Sequence, residues 1–273
     1  EEALAADETL RSADPRKKPK KLRPILMPSF YFNQLIHPLA ALTFRGVLWY
    51  HGEAHFSQGL FYSRAFPALI RDWRRHFGKA DLPFYFCQLP NLDQKTRDAN
   101  QAGWVAEVRE AQDAGLKEGN TGEAVLIDAG EEDLHPGNKE IVGRRLALLA
   151  AAGTYGSKVP AEGPRFCSVK REGGRLRVTF DHCEDGLVVR PLPAEADANV
   201  PESQAQGFAI CGGDGNWVWA RVEIAGNAAF LSSPQVPEPV AVRYAWSNNP
   251  TCNLYNQEGL PAAPFRAQID PEQ

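Results

Sequence analysis

Residues 44–89, "FRGVLWYHGEAHFSQGLFYSRAFPALIRDWRRHFGKADLPFYFCQL", decide the fold of this chain. They open on a short apolar, β-rich run, "FRGVLWY" (44–50), which breaks into the polar "HGEAH" (51–55). Next, "YSRAFPALIRDWRRHF" carries Tyr62, Phe66, Leu69, Ile70, Trp73 and Phe77 on one stripe of helical period. Pro67 lies inside that stripe and predicts either a kink or the helix's true first turn. The stretch closes on a second apolar run, "LPFYFCQL" (82–89). Strand, helix, strand is the unit from which parallel sheets are built.

The alternation continues to residue 152. "WVAEVREAQDAGL" is amphipathic through Trp104, Val108 and Ala111; "AVLIDAG" (124–130) reads as a third strand; "GNKEIVGRRLALLAAA" sets Ile141, Val142, Leu146 and Leu149 on one face. Continuous apolar strands between amphipathic helices imply a mainly parallel sheet covered on both faces. Such sheets gather their chemistry beyond the carboxyl ends of the strands. "WYHGEAH" and "GEEDLHP" both follow strands, so the two loops are expected to be neighbours.

After the Gly- and Pro-rich "GTYGSKVPAEGP" (153–164) the texture changes. Short β-rich runs recur between turn signals such as Gly173-Gly174, and no helical period survives. This predicts an antiparallel sandwich or half-barrel of roughly 100 residues. The expected domains are therefore 1–155 and 163–270. Trp217 and Trp219 flank Val218 and share a face, either in the core or as a sugar-stacking platform.

Composition narrows the function. With 273 residues and 43% hydrophobic content the chain can fill a core of this size. Its net charge of −4 leaves no global basic field for nucleic acid or acidic membranes. The basic run 16–21 reads as a solvated loop, and no run of about 18 apolar residues suggests a membrane span. Five cysteines, Cys87, Cys167, Cys183, Cys211 and Cys252, lack CxxC spacing, which argues against a structural zinc site. The opening "EEALAADETLRSAD" reads as the middle of a helix and suggests a portion of a longer precursor.

Two histidines around a carboxylate in "HGEAH" raise the possibility of a metal. The zinc pattern His-Glu-x-x-His needs the glutamate directly after the first histidine and a helix, and Gly52 opposes both. A zinc deaminase would add Pro-Cys-x-x-Cys, which does not occur. The second loop offers Asp133 two residues before His135, a carboxylate placed to orient an imidazole base. Asp128, Glu131 and Glu132 compete for that role, and Asp133 is chosen by proximity. No Gly-x-Ser-x-Gly or Gly-Asp-Ser is present; Ser29 and Ser57 are the serines near plausible site loops.

These segments together resemble the sialate O-acetylesterase family, a branch of the SGNH (GDSL-like) esterases. The similar stretches are "LIHPLAALTFRGVLWYHGEAH", "FPALIRDWRRHFGKADLPFYFCQLPN", "EVREAQ", "DLHPGNKEIVGRRLAL" and "PVAVRYAWSNNPTCNLYNQEGLPAAPFR". The resemblance implies a flavodoxin-like three-layer α/β/α domain with a C-terminal antiparallel β-sandwich. It also implies hydrolysis of acetyl esters on sugars, notably sialic acids, with no metal or organic cofactor, and a periplasmic or secreted setting; the charge balance and the lack of a long apolar run are what argue against a nucleic-acid or membrane partner. Within it His135 is the base and Asp133 its orienting acid. The loop His51, Gly52, Glu53 and His55 lies on the oxyanion and substrate side, with Glu53 expected to hold the loop.

Two positions depart from the family pattern: His51 stands where Gln is usual, and His55 where Asn or Asp is usual. The family's nucleophilic serine lies in a block upstream of this chain's first residue. The expectation is that an upstream portion, or a separate N-terminal polypeptide, supplies it. The competing expectation is a non-catalytic carbohydrate-binding or interaction protein derived from the same fold.

Overall fold

The computed structural model describes residues 29–131, 133, 135–192 and 204–269. The opening segment, the basic run 16–21 and Glu132 lie outside the described residues. The described residues up to Phe44 and those from Arg45 onward belong to two separate compact units. In the first, two short helical turns, Phe32–Ile36 and His37–Ala41, follow one another, with Pro38 at the start of the second.

The second unit begins with the parallel ladder. Strands β1 (Val47–Trp49), β2 (Phe84–Cys87) and β3 (Thr121–Ala124) pair in the order β1-β2-β3. Helix α1 (Gly59–His76) joins the first two strands, and α2 (Trp104–Gln112) leads toward the third. Helix α3 (Lys139–Gly153) follows β3. The pleat sorts β2 between two layers. Phe84 and Phe86 pack with Tyr62, Phe66 and Ile70 of α1, while Tyr85 and Cys87 pack with Val142, Leu146 and Leu149 of α3. Each buried side chain of this size contributes about 2 kcal/mol, so the apolar stripes read in the sequence are what fasten the helices.

Three expectations change in detail. Pro67 lies well inside α1, buried, so it marks neither the helix start nor its end. The third strand is Thr121–Ala124, earlier than "AVLIDAG" suggests. Its ladder ends at Cys87↔Ala124, and the Gln88 N–H donates to the Ala124 carbonyl at 3.0 Å. Val125 and Ile127 then turn into the core of the β-rich part. Helix α3 starts at Lys139 rather than near Pro136 or Gly137, because the Asn138 side chain caps it by accepting from the Ile141 N–H at 3.5 Å.

The β-rich part contains β4 (Arg165–Glu172), β5 (Arg175–Asp181), β6 (Leu187–Val189), β7 (Phe208–Cys211), β8 (Trp217–Trp219), β9 (Arg221–Ala225) and β10 (Ala228–Ser232). β11 (Ala241–Tyr244), β12 (Leu254–Asn256) and β13 (Phe265–Gln268) complete it. Two antiparallel sheets form, β4-β5-β10-β9 and β13-β11-β7-β8, with a small β12-β6 pair. Leu176, Val178 and Phe180 of the first meet Phe208, Ile210 and Val242 of the second in one cluster, an arrangement resembling a sandwich. Val218, not its neighbours, packs against that cluster. Trp217 and Trp219 therefore lie on the outer face of their sheet, which overturns the core reading for them.

Buried charge joins the two parts. Arg165 of β4 pairs with Glu123 of β3 at 2.6 Å and with Asp113 at 3.4 Å. Burial, reinforced by Glu123, holds the Asp113 carboxyl well above the usual carboxylate range.

Candidate active site

The two polar loops meet beyond the carboxyl ends of the strands. Glu53 from one and Asp133 from the other line a single cleft, walled by Leu89, Pro90, Asn91 and Trp104. A Cβ on Gly130 would run into the Asn91 carbonyl oxygen, and the Gly130 N–H donates to Asn91 Oδ1 at 2.6 Å. Only glycine lets the Asp133 loop lie this close to the end of β2.

Gly52 has φ 154°, and a Cβ there would press on the Leu89 side chain at 3.2 Å and on Gln112 Nε2 at 3.3 Å. Gln112, buried at the end of α2, holds this loop. Its Nε2 donates to the carbonyls of His51 (3.1 Å) and Cys87 (2.9 Å), and its Oε1 accepts from the Leu89 N–H (2.9 Å). Tyr62 adds a hydrogen bond from its hydroxyl to the His51 carbonyl at 3.1 Å. The loop is thus anchored through its backbone by Gln112 and Tyr62. Among the described residues the Gly52 N–H makes no hydrogen bond.

His51 and His55 do not line the cleft. Their rings stand 5.1 Å apart, and His51 stacks on Tyr62 at 5.9 Å while His55 stacks on Phe61 at 5.9 Å. Burial lowers both imidazole pKa values; for His51 the neighbouring His55 lowers it further and Glu53 opposes. Burial also pushes the Tyr62 phenol up to about 12, so its single proton stays in place and goes to the His51 carbonyl. His51 Nδ1 lies 3.3 Å from the same Tyr62 Oη, a hydrogen bond in which the ring nitrogen donates or accepts according to its tautomer. Among the described residues no group of three or more His, Cys, Asp or Glu side chains is arranged to hold a metal ion.

Asp133 and His135 sit on an exposed turn. Asp133 Oδ1 accepts the His135 backbone N–H at 2.7 Å, and His135 Nδ1 lies 3.7 Å from the same oxygen. The His135 side chain is 86% exposed, which leaves it free to swing. Two of the competing carboxylates, Asp128 and Glu131, are engaged elsewhere. Asp128 takes a fork of hydrogen bonds from Arg145 (2.6 and 2.8 Å) and one from Tyr255 (3.1 Å); Glu131 Oε1 accepts the Gly137 N–H at 2.9 Å. Ser57 is exposed at φ 60° before α1 and, among the described residues, makes no hydrogen bond to His55 or His135.

The sequence of the family model "Carbohydrate esterase, sialic acid-specific acetylesterase" matches residues 28–146. Sialate O-acetylesterase of Mus musculus is 32% identical over 272 residues, covering 88% of this chain and 47% of the mouse protein. The Homo sapiens protein of that name is 30% identical, covering 88% and 49%. The crystal structure of a carbohydrate acetylesterase from Xanthomonas citri superposes with a TM-score of 0.77 at 36% identity, over 88% of this chain and 54% of that one. The chain belongs to this carbohydrate esterase family. It spans about half the length of the curated relatives it matches.

For a member of the family, several site residues escape a reading of motifs. Arg109, in "EVREAQ", is 1% exposed and donates to four carbonyls: Leu89 (2.8 Å), Pro90 (2.7 Å), Ser247 (2.7 Å) and Asn248 (3.0 Å). It fixes the cleft wall to the loop after β11. Asn91 and Gln112 act in the same backbone-holding way. The only sequence signal for them is a polar residue on the buried side of a helix or at a strand end, which a pattern search discounts.

Proposed function

We propose that these residues form the acid–base and oxyanion side of a carbohydrate O-acetylesterase, of sialate type, on a flavodoxin-like SGNH domain (1–155) with an associated β-sandwich domain (163–270). The observation that carries the reading is the convergence of Glu53 and Asp133 on one cleft at the carboxyl ends of parallel strands. The relatives' names support an O-acetylated sugar as substrate, and a periplasmic or secreted setting goes with it.

The nucleophilic serine comes from a polypeptide segment outside this sequence. It attacks the acetyl carbonyl while His135 takes its proton, and Asp133 steadies the imidazolium. The free Gly52 N–H, held in place through Gln112 and Tyr62, donates to the oxyanion. The tetrahedral intermediate collapses as His135 returns the proton to the departing sugar oxygen. Water, deprotonated by His135, then attacks the acyl-serine and releases acetate and the free serine hydroxyl. The 3.7 Å Nδ1–Oδ1 separation shortens to a hydrogen bond when substrate covers the turn.

In the complete polypeptide, His135→Ala should cut acetyl-ester turnover by about three orders of magnitude or more with the fold intact. Near-normal acetate release would remove His135 from the mechanism. The exposure of His135 favours one second reading, a carbohydrate-binding protein that has left catalysis. Sugar binding with no turnover in the complete wild-type polypeptide would select it.

A further inference from the structure

Two carboxylates share one guanidinium at the seam between the parallel and the β-rich parts. Arg165 Nη2 donates to Glu123 Oε2 at 2.6 Å, and Nη1 donates to Asp113 Oδ1 at 3.4 Å. Among the described residues no second cation pairs with either acid. Arg266, the other arginine of this corner, is spent on Glu110, its Nε and Nη2 each donating to that carboxylate at 2.9 Å. Glu162 adds negative charge beside Arg165 and has His182 at 3.3 Å as its own partner.

The Glu123 side chain is buried, and its Oε2 takes the bond from Arg165 and a longer one, 3.4 Å, from Gln88 Nε2. Its Oε1 has no donor among the described residues. A buried carboxylate oxygen left in that state costs its full desolvation. The Asp113 carboxyl lies within hydrogen-bond reach of Glu123, and Oδ2 is the oxygen that Arg165 does not use. Two bare carboxylates in contact repel, whereas a carboxylic acid against a carboxylate makes a strong, charge-assisted bond. One proton therefore removes both the orphan oxygen and the repulsion. Burial and Glu123 raise the Asp113 pKa in the same sense. Asp113 also lines a cavity of about 230 Å³ with Glu110, Arg165, Trp246 and Arg266, which gives that proton a route to solvent.

The position of the pair gives it a consequence. Asp113 directly follows Gln112, whose amide holds the His51 carbonyl at 3.1 Å and with it the Gly52 turn. Glu123 lies on β3 opposite Phe86, next in register to Cys87, whose carbonyl is the other acceptor of the Gln112 amide. The two acids thus fasten both the end of α2 and the strand end on which the Gly52 loop rests.

We propose that Asp113 and Glu123 hold one proton between them, Asp113 Oδ2–H donating to Glu123 Oε1, and that this pair positions Gln112 beneath the Gly52 loop. The shared proton stands on the buried cluster alone; the positioning role rests on the esterase reading. When the proton leaves to solvent at alkaline pH, two anions face one guanidinium. They push apart, the end of α2 shifts, and the Gly52 N–H leaves its place. The unfolded chain gives up this proton at pH about 4 and the folded chain only at higher pH. The pair's contribution to stability is therefore complete below pH about 4 and is lost as pH rises through the folded value.

The test is difference infrared spectroscopy of the full chain at neutral pH, with thermal melts across pH, on wild type, Asp113→Asn and Asp113→Ala. Wild type should show the C=O stretch of one protonated carboxyl, and Asp113→Asn should lack it. Asparagine offers an N–H to Glu123 Oε1 with no proton to lose, so its melting temperature should depend less on pH; Asp113→Ala should melt lower at neutral pH. No protonated-carboxyl band in wild type, a band that persists in Asp113→Asn, or equal pH slopes in the two overturns the shared proton. In the complete polypeptide, Asp113→Ala should lower kcat for an acetyl ester about tenfold with KM nearly unchanged. Asp113→Asn should restore kcat and carry it to higher pH than wild type does. Wild-type kcat and pH profile in Asp113→Ala overturn the positioning role. No turnover by the complete wild-type polypeptide overturns the esterase reading and the positioning role with it, while the infrared band still decides the shared proton.

Discussion

His51 and His55 show how burial sets chemistry one residue at a time. Both rings sit among aromatic side chains, where the charged form loses water and gains no carboxylate partner in hydrogen-bond reach. Above pH about 6.5 both are neutral in folded and unfolded chains alike. Below it the unfolded chain binds protons first, because both folded pKa values are depressed. Their contribution to stability is therefore complete above pH about 6.5 and is lost as pH falls through the folded values. A melting series from neutral to mildly acid pH should show this decline, and the double variant His51→Gln, His55→Asn should flatten it. Parallel slopes in the two proteins would disprove the linkage.

At the scale of elements, helix α2 positions the site more than it closes the core. One face carries Val105 and Val108 toward Leu89, and the same turns present Arg109 and Gln112 to backbone carbonyls. Replacing Gln112 by Leu keeps the volume but strips the Leu89 N–H and the Cys87 carbonyl of this partner and leaves the His51 carbonyl with the Tyr62 hydroxyl alone. The expected cost is roughly 2–4 kcal/mol. Chemical denaturation should register it as a lower midpoint at unchanged slope, and in the complete protein the loop shift should lower kcat more than it raises KM. A variant as stable as the parent would mean that water replaces the amide and that the loop is held by Tyr62 alone. The 3.2–3.3 Å approach to Gly52 makes this packing specific: helix α2, strand β2 and the loop after β1 fit only with a hydrogen atom at that position.

Across the whole second unit, the parallel and antiparallel parts share buried polar ties as well as a hydrophobic seam. Val125 and Ile127 belong to the β-rich core although they follow the parallel strand β3. Arg109 spans both parts with four carbonyl bonds and no carboxylate, and burial pulls its pKa down to about 9. Arg109→Met would leave the carbonyls of Leu89, Pro90 and Ser247 unpaired, while that of Asn248 keeps the Leu92 N–H, for an expected loss of roughly 3–5 kcal/mol. Scanning calorimetry should show one lowered transition rather than the loosening of a single part; two separated transitions would mean that the seam, and not the arginine, couples them.

Local pattern along the chain settled the order of strands and helices, the covering of the parallel sheet by apolar stripes, the change to antiparallel texture after residue 164, and the two loops that meet at the cleft. These follow from periodicity, which is local: a stripe at Tyr62, Phe66 and Ile70 has one way to be buried. Tertiary structure alone decided where β3 stops, that Trp217 and Trp219 face outward, and that Arg109 and Gln112 hold backbone. It also decided that Asp128 is bound to Arg145, leaving Asp133 beside His135. Those outcomes depend on partners far along the chain, such as Ser247 for Arg109. A buried polar side chain takes its role from whichever unpaired group the fold brings to it.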